Sequence, residues 1–536
     1  MSRVVVIGAG VGGLAAAIRL AHGGHDVTVI EQADTVGGKL ARWTRQTPAG
    51  AFTFDTGPSL LTLPQVFADL FDSTGEPLEK VLDLVELDPI VRHRFPAGPG
   101  EPTGPGELSG PGELSGPGEL SGPGELSGPG ELGGRPDPRW LDSCADPAAF
   151  TERIAVAFGD EAADDWQRVW RRARRIWDAS WRDVLRREVG SPLAMARMAY
   201  RLGDLAAVAP GRSLRGMLRR EVRDPRLRTL LERYATYTGA DPRRAPAALL
   251  AVPYAELTFG GWYVRGGLGA LADALLSRCL DLGVVVRTGS TVTAIDAAGG
   301  RVHGVRVAGE TRPVPADVVV ANVDASRVYR ELLPHARRLT RLADRSLGGF
   351  VLLLGVRGRT PELAHHTVFF PRDYDAEFDA VFGDPGRGRP ARPATDPTIF
   401  VTVADDPAAR PDGHEAWFVL VNAARQDLSL AGVDWHRPGL ADAYADQVLR
   451  VLADRGVDVR DRLLFREVRT PADLAAATGT PGGSIYGTAG GLLRPANRAP
   501  AAGMFLVGGS VHPGGGLPMV TLSAQIVADR IGPAGR

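Results

Sequence analysis

Cysteine is nearly absent from this chain of 536 residues; Cys144 and Cys279 are the two present. Two scattered thiols exclude a disulfide framework and a cysteine-built zinc site, and they suit a reducing cytoplasm. Lysine is as scarce. Of 62 basic residues only Lys39 and Lys80 are lysines, which reads as a compositional bias toward arginine. Net charge is missing too: at −1 the chain has no global field to attract nucleic acid or anionic substrates. No apolar run is long enough to span a bilayer, so no transmembrane helix is expected. The apolar start at Val4 leads into glycines and not into a cleavage site, so no signal peptide is expected either. No Ser-His-Asp set, metal-ligand cluster or paired carboxylates stand out. The length allows two or three packed domains with a large core.

What is present is glycine in chosen places. "VVVIGAGVGGLAAAIRL" begins at Val4, and "VIEQADTVGGKL" follows at Val29. The first reads as a buried strand, a tight turn and a helix, and a second strand ends at Glu31. In this βαβ unit Gly8 makes the sharp turn, and Gly10 lets a pyrophosphate approach the backbone. Gly12 belongs to the same turn, and Gly13 lets helix and strand pack closely. The helix start supplies free amides for phosphate. Glu31 is placed to accept from a ribose hydroxyl pair, which disfavours a phosphorylated ribose and hence NADP. A dinucleotide site is therefore expected.

Two more glycine segments return to that site. Gly37, Gly38 and Lys39 follow Glu31, offering a second backbone approach and a basic residue near the phosphates. "DTGPSLL", with Gly57 and Pro58, is a further turn back toward it. Near the C-terminus, "LVGGSVHPGGGLPMVTLSA" ends a strand at Gly508 and Gly509, passes through a loop of almost no side-chain bulk, and starts a helix at Pro518. His512 in this loop is the one candidate for a catalytic base, and a His-Pro pair in a glycine turn equally suits a structural role.

Elsewhere, residues 104–132 repeat GPGELS and are expected to form a flexible excursion, either a tether or a tolerated insertion at the tip of a hairpin whose arms are "IVRHRFPAG" and "RPDPRWLDS". Residues 150–235 read as helical and basic. Trp166, Trp170, Trp177 and Trp181 share one helical face, and two readings stand open: contact with an anionic lipid surface, or an amphipathic subdomain whose tryptophans are core. "GVVVRTGSTVTAIDAAGGRVHGVRV" reads as a strand and then a hairpin turning at Gly299 and Gly300. From about 335 to 480 apolar strands alternate with polar turns, as in a mixed sheet. The stretch "PRDYDAEFDAVFGDPGRGRPARPATDP" reads as loop.

The order of these pieces resembles the FAD-containing amine oxidase and carotenoid desaturase superfamily. "GAGVGGLAAAIRL", "VGGKLARW", "FDTGPSLLTLPQVFADLF", "RYATYTGADPRRAPAALL", "GGWYVRGGLGALADAL" and "VGGSVHPGGGLPMVTLSA" resemble bacterial phytoene desaturase-type carotenoid desaturases from end to end. "VHPGGGLPMV" and "DTGPSLLT" look closest to the branch acting on hydroxylated or methoxylated carotenoids. The resemblance implies an α/β fold with a Rossmann-type FAD domain like that of p-hydroxybenzoate hydroxylase, an α+β mixed-sheet substrate domain and a helical, membrane-associating subdomain. The implied divisions are 1–75, 240–330 and 481–536 for FAD, 76–149 and 331–480 for substrate, and 150–239 for the helical part.

It further implies FAD without a nicotinamide partner, with Gly515, Gly516, Leu517, Pro518 and Met519 against the isoalloxazine and the backbone near Val292 at the adenine. The implied reaction is hydride transfer from a carotenoid to flavin N5 with loss of a proton, the electrons passing on to oxygen or a quinone. Tyr234, Tyr237, Trp262 and Tyr263 are expected either to line an apolar tunnel or to be ordinary aromatic core. The implied location is the cytoplasmic face of the cell membrane, with substrate drawn from the bilayer. Flavin amine oxidase, carotenoid isomerase or oxygenase, and a non-catalytic lipid-binding protein remain alternatives.

Overall fold

The computed structural model describes residues 1–97, 131–132, 135–137, 139–188, 202–342, 344–488 and 494–535. Its centre is a five-stranded parallel sheet. In it β1 (Arg3–Ile7) lies between β2 (Asp26–Ile30) and the strand Val318–Ala321, with Val285–Arg287 and Met504–Leu506 at the edges. Val4, Val5, Val6 and Ile7 are buried because both faces of a parallel sheet are covered. One face packs on α1 (Val11–His22), Gly269–Asp281 and the terminal helix Leu517–Ile531. The other packs on the hairpin Val292–Ala298/Arg301–Val307, which turns through left-handed Gly299 and Gly300. The strand Met504–Leu506 and the helix after it thus complete a layer begun by β1.

The second unit is a seven-stranded mixed sheet, in the order Leu463–Arg469, Gly348–Arg357, His414–Ala423, Ile399–Val403, His366–Phe369, Val91–Arg94, Trp140–Ser143. One face carries Leu352, Leu354, Val401, Val419 and Val421 and is covered by Leu440–Asp454, a helix that the alternating reading of this region missed. The opposite face carries His93, His366, Phe400 and Phe418. The stretch after Pro371 is not all loop. Asp373 accepts the N–H groups of Asp375 and Ala376 and starts the helix Tyr374–Phe382, whose Tyr374 and Phe378 are buried.

The third layer is helical: Pro147–Phe158, Asp160–Ser180, Leu214–Glu221, Pro225–Arg233 and Ala251–Phe259 enclose one apolar cluster. The tryptophan face turns inward to it, as in the reading that made these tryptophans the core of an amphipathic subdomain. Trp166 lies 5.0 Å from Phe150 and 4.9 Å from Trp170, Trp170 lies 4.7 Å from Tyr254, and Trp177 lies 5.5 Å from Phe259. Arg168, Arg171, Arg174 and Arg175 occupy the solvent side. Among the described residues no helix is long and apolar enough to cross a membrane.

The GPGELS repeat lies outside the described residues except for Glu131–Leu132, which pairs with Arg135–Pro136. The arms flanking it pair directly, Val91 with Ser143 and Arg94 with Trp140. Because the ends of the excursion are already adjacent, deletion of residues 104–132 is expected to leave the thermal midpoint and flavin content unchanged. A fall in either, read by fluorescence and absorbance, would show that the repeat supports the sheet.

Three histidines of this sheet are held neutral by burial, His93 with its pKa pushed down to about 3, His365 to about 4, and His366 well below the ordinary value. The unfolded chain takes up these protons near pH 6.5, the folded chain only far lower. Stability from neutral burial is therefore complete above about pH 6.5 and declines as pH falls toward 4, each histidine adding a slope of about 1.4 kcal/mol per pH unit. Denaturant midpoints between pH 7 and pH 4 should show that decline.

Candidate active site

At the end of β1 the chain turns at Gly8 (φ +96°), whose N–H donates to Ile30 O at 2.8 Å. An ideal Cβ on Gly13 would stand 2.1 Å from Gly8 O, so only glycine lets α1 lie this close to the turn. α1 has no side-chain cap and no acid in its first turn, which leaves its amides and its positive end for an anion. Glu31 is buried at the end of β2. Its Oε2 accepts from Ala9 N–H at 2.7 Å and its Oε1 from Ala33 N–H at 2.9 Å, fixing the carboxylate beside the glycine turn. Ser290 N–H donates to Glu31 O at 2.8 Å, which brings the segment leading to buried Val292 alongside.

The second glycine pair stacks on the first. Gly37 (φ +103°) donates to Ala9 O at 2.9 Å, and an ideal Cβ on Gly38 would be 3.3 Å from the Cα of Gly10. Gly57, ahead of Pro58, packs still closer: its Cβ would fall 1.9 Å from Lys39 O. The Lys39 ammonium turns toward the Ser484 and Ile485 carbonyls, with Asp324 and Arg345 nearby, and burial lowers its pKa to about 8.

The C-terminal loop closes the site. A Cβ on Gly12 would lie 3.4 Å from the Cα of Gly508, and one on Gly509 would lie 3.3 Å from that of Gly515. Gly516 (φ +103°) leads into Leu517–Ile531, with Pro518 in its first turn and no side-chain cap. Leu517 borders the core of the parallel sheet and Met519 that of the helical layer, so this helix start sits where the two meet. His512 is buried, and its Nε2 lies 3.0 Å from both the Val184 and Arg187 carbonyls, fastening the loop to the end of the tryptophan helix.

One residue escaped the sequence reading. Asn322 follows the strand Val318–Ala321, and its side chain stands within 2.7–3.0 Å of where a Cβ on Gly10, Gly12, Gly13 or Gly508 would be. A polar residue at the carboxyl end of a central parallel strand was the available signal.

The expected wall residues fall into two groups. Tyr234 donates to Glu256 Oε1 at 2.8 Å and lies 5.1 Å from the ring of Tyr237. Tyr486 rests against Gly239, two residues beyond Tyr237, and against Gly515. Trp262 and Tyr263 sit apart on the strand Trp262–Val264, Trp262 donating to Phe259 O at 2.9 Å and Tyr263 to Asp406 Oδ2 at 2.8 Å.

The uncapped helix start, the acid at the end of β2 and the converging glycine backbones fit the phosphates, ribose and flat ring of FAD, and they define an FAD-dependent oxidoreductase. The chain belongs to the flavin containing amine oxidoreductase family, whose model matches residues 11–532. It is 32% identical to a 4,4'-diapolycopene oxygenase of Methylomonas, covering 99% of this chain and 98% of that one. It is 31% identical to a hydroxyneurosporene desaturase of Cereibacter sphaeroides, covering 99% and 97%. An oxidoreductase from Methanosarcina mazei shares the fold, with a TM-score of 0.61 at 16% identity over 98% of this chain and 100% of that one.

Proposed function

We propose that the protein is a carotenoid desaturase, using FAD to introduce carbon–carbon double bonds into a C40-type substrate drawn from the lipid bilayer. The observation that carries this reading is the meeting of the N-terminal and C-terminal glycine turns beside a cluster of aromatic and aliphatic side chains. End-to-end similarity to proteins named for carotenoid oxidation supports the substrate class. Bound FAD supplies a two-electron, hydride-accepting oxidant. The chain's own part is to hold and screen. Gly509 and Gly515 let the loop pack closely on itself and on Tyr486, Gly516 leaves open space before the helix, and the uncapped start of Leu517–Ile531 leaves free amides for the ring. The apolar wall orients the polyene and excludes water. The proton leaves from a carbon next to a delocalised polyene, a step that needs only a weak acceptor. His512 Nε2 is engaged with main-chain carbonyls and serves the loop's position.

Expression in cells accumulating candidate carotenoids, followed by pigment chromatography, tests the reading. A redder pigment with two hydrogens fewer per step supports it, and unchanged pigment from flavin-loaded protein refutes it. The Methylomonas relative favours a second reading, oxygenation, which the same assay reveals as a product that has gained oxygen. An amine oxidase with cysteine-tethered flavin is disfavoured. Cys279 is buried against Leu14 O with its pKa pushed up to about 12, and Cys144 lies beside Asp146. Acid precipitation is therefore expected to release all the flavin to the supernatant; yellow colour remaining in the pellet would contradict this. The arginine-bearing outer side of Asp160–Ser180 supports peripheral docking on the anionic cytoplasmic leaflet, with oxygen or a quinone as final acceptor.

A further inference from the structure

Beside the Asp324–Arg345 pair, outside the glycine turns of the cofactor cradle, lies a pocket of about 500 Å³. Arg330, Arg345 and Arg425 line it from three separate segments, together with Leu339, Leu342 and Pro481. Arg345 is engaged: its Nη1 and Nη2 donate to Asp324 at 3.1–3.2 Å. Arg330 and Arg425 make no hydrogen bond and no ion pair with a described residue. The charges of Asp427 and Asp344 are felt at Arg425 without a bond to it. Asp427 Oδ1 accepts from Ser429 N–H at 2.8 Å, and Asp344 faces Arg244 at 3.7 Å. The Arg425 stem is fixed, because a Cβ on left-handed Gly482 would stand 3.2 Å from its Cβ, and Gln426 N–H donates to Gly482 O at 2.9 Å. Burial holds its pKa below the ordinary value, and the charge of Arg345 adds to this. A half-buried guanidinium without a bonded acid is costly until an anion joins it.

The anion's chemistry follows from its surroundings. A planar carboxylate fills one guanidinium fork with its two oxygens, whereas the oxygens of a tetrahedral phosphate diverge and accept from separate arginines. The volume is that of a site for a small organic molecule, more than a bare phosphate fills, and the leucines suit an apolar remainder. The loop that supplies Arg425 and Asp427 runs on into Leu428 and Leu430, which are 83% and 46% exposed. It is closed on itself, with Val433 N–H donating to Arg425 O at 2.9 Å and Ala431 N–H to Ser429 Oγ at 3.2 Å. Two leucines held in water next to an arginine pocket match a lipid surface, with apolar tips in the acyl layer and cations at the phosphates. Arg338, on the short helix Ala336–Thr340 beside the pocket, donates to Arg498 O at 2.9 Å. Arg498 in turn lies 4.0 Å from Glu188, beyond the tryptophan helix, so the pocket borders the helical layer.

We infer that Arg330, Arg345 and Arg425 form a phosphate-ester site, and that a phospholipid headgroup fills it with Leu428 and Leu430 seated in the acyl layer beside it. This rests on the peripheral-docking reading and adds to it a headgroup pocket built outside Asp160–Ser180.

The test uses flavin-loaded protein. Calorimetry reads its affinity for dihexanoylphosphatidylglycerol below the micelle threshold, for glycerol phosphate and for inorganic phosphate. Flotation reads its capture by vesicles of phosphatidylcholine alone or mixed equally with phosphatidylglycerol. The short-chain lipid should bind at least about tenfold more tightly than either soluble phosphate, and Arg425→Gln should weaken it by about tenfold or more. If Arg425→Gln does not fold, Arg330→Gln, at an exposed position, reads the same loss. Arg312→Gln, an exposed arginine between Arg301–Val307 and Val314–Pro315, should leave the affinity unchanged. Leu428→Asp combined with Leu430→Asp should cut capture by the mixed vesicles about tenfold or more, with flavin content and thermal midpoint at wild-type values. Equal affinity for glycerol phosphate overturns the lipid source. A short-chain lipid affinity that Arg425→Gln and Arg330→Gln leave intact overturns the pocket, and peripheral docking then stands on vesicle capture alone. Failure of the mixed vesicles to capture the wild type removes peripheral docking, and the headgroup with it.

Discussion

Gly10→Val is expected to give a folded but colourless protein. A Cβ at this position would stand 2.9 Å from Asn322 Nδ2 and, with two further methyls, would fill the space between α1 and the Gly37–Gly38 turn that a pyrophosphate needs. The change lies at the helix cap and not inside a core cluster, so the loss falls on cofactor retention. Flavin content after gel filtration should drop below about a tenth of wild type, equivalent to at least about 1.4 kcal/mol of binding free energy. Near-stoichiometric flavin in this variant, read from the visible absorbance, would mean that the phosphates lie elsewhere.

The second large effect is on stability. Asp324 and Arg345 form an ion pair at 3.1 Å with side-chain exposures of 5% and 6%. Asp324 also accepts from Ser326 N–H at 2.9 Å to start the short helix Ala325–Arg327. Removing one partner of a buried pair strands the other charge, so Asp324→Ala should lose about 3–5 kcal/mol of unfolding free energy. Asp324→Asn keeps a capping oxygen and should lose less. The substitution also takes a favourable charge away from Lys39, lowering its pKa below the present value of about 8. Denaturant melts of both variants check the order, and an Asp324→Ala midpoint equal to wild type would refute it.

Local chemistry made the cofactor half legible. β1, the Gly8–Gly13 turn, α1 and Glu31 are read within thirty residues because period, turn and acid are all local signals. The C-terminal loop was legible for the same reason, since glycine and proline state their backbone demands wherever they stand. Asn322 was not, because the glycines it touches are more than 180 residues away in sequence in either direction. The tryptophan face was ambiguous in principle: an amphipathic stripe looks the same whether it meets lipid or core, and only Phe150, Tyr254 and Phe259 decide it. The helix Tyr374–Phe382 was missed although Asp373 announces it, because the surrounding prolines and glycines outweighed one capping aspartate.

The parallel sheet has a temporal consequence. Its edge strand Met504–Leu506, and the helix that follows, are made long after β1, yet Gly508 must reach Gly12 before the cradle exists. A nascent chain still attached to the ribosome has its first glycine turn in place and no partner for it. Capture of FAD is thus expected to follow synthesis of residue 508, and a chain interrupted before it is expected to lack the closed cradle.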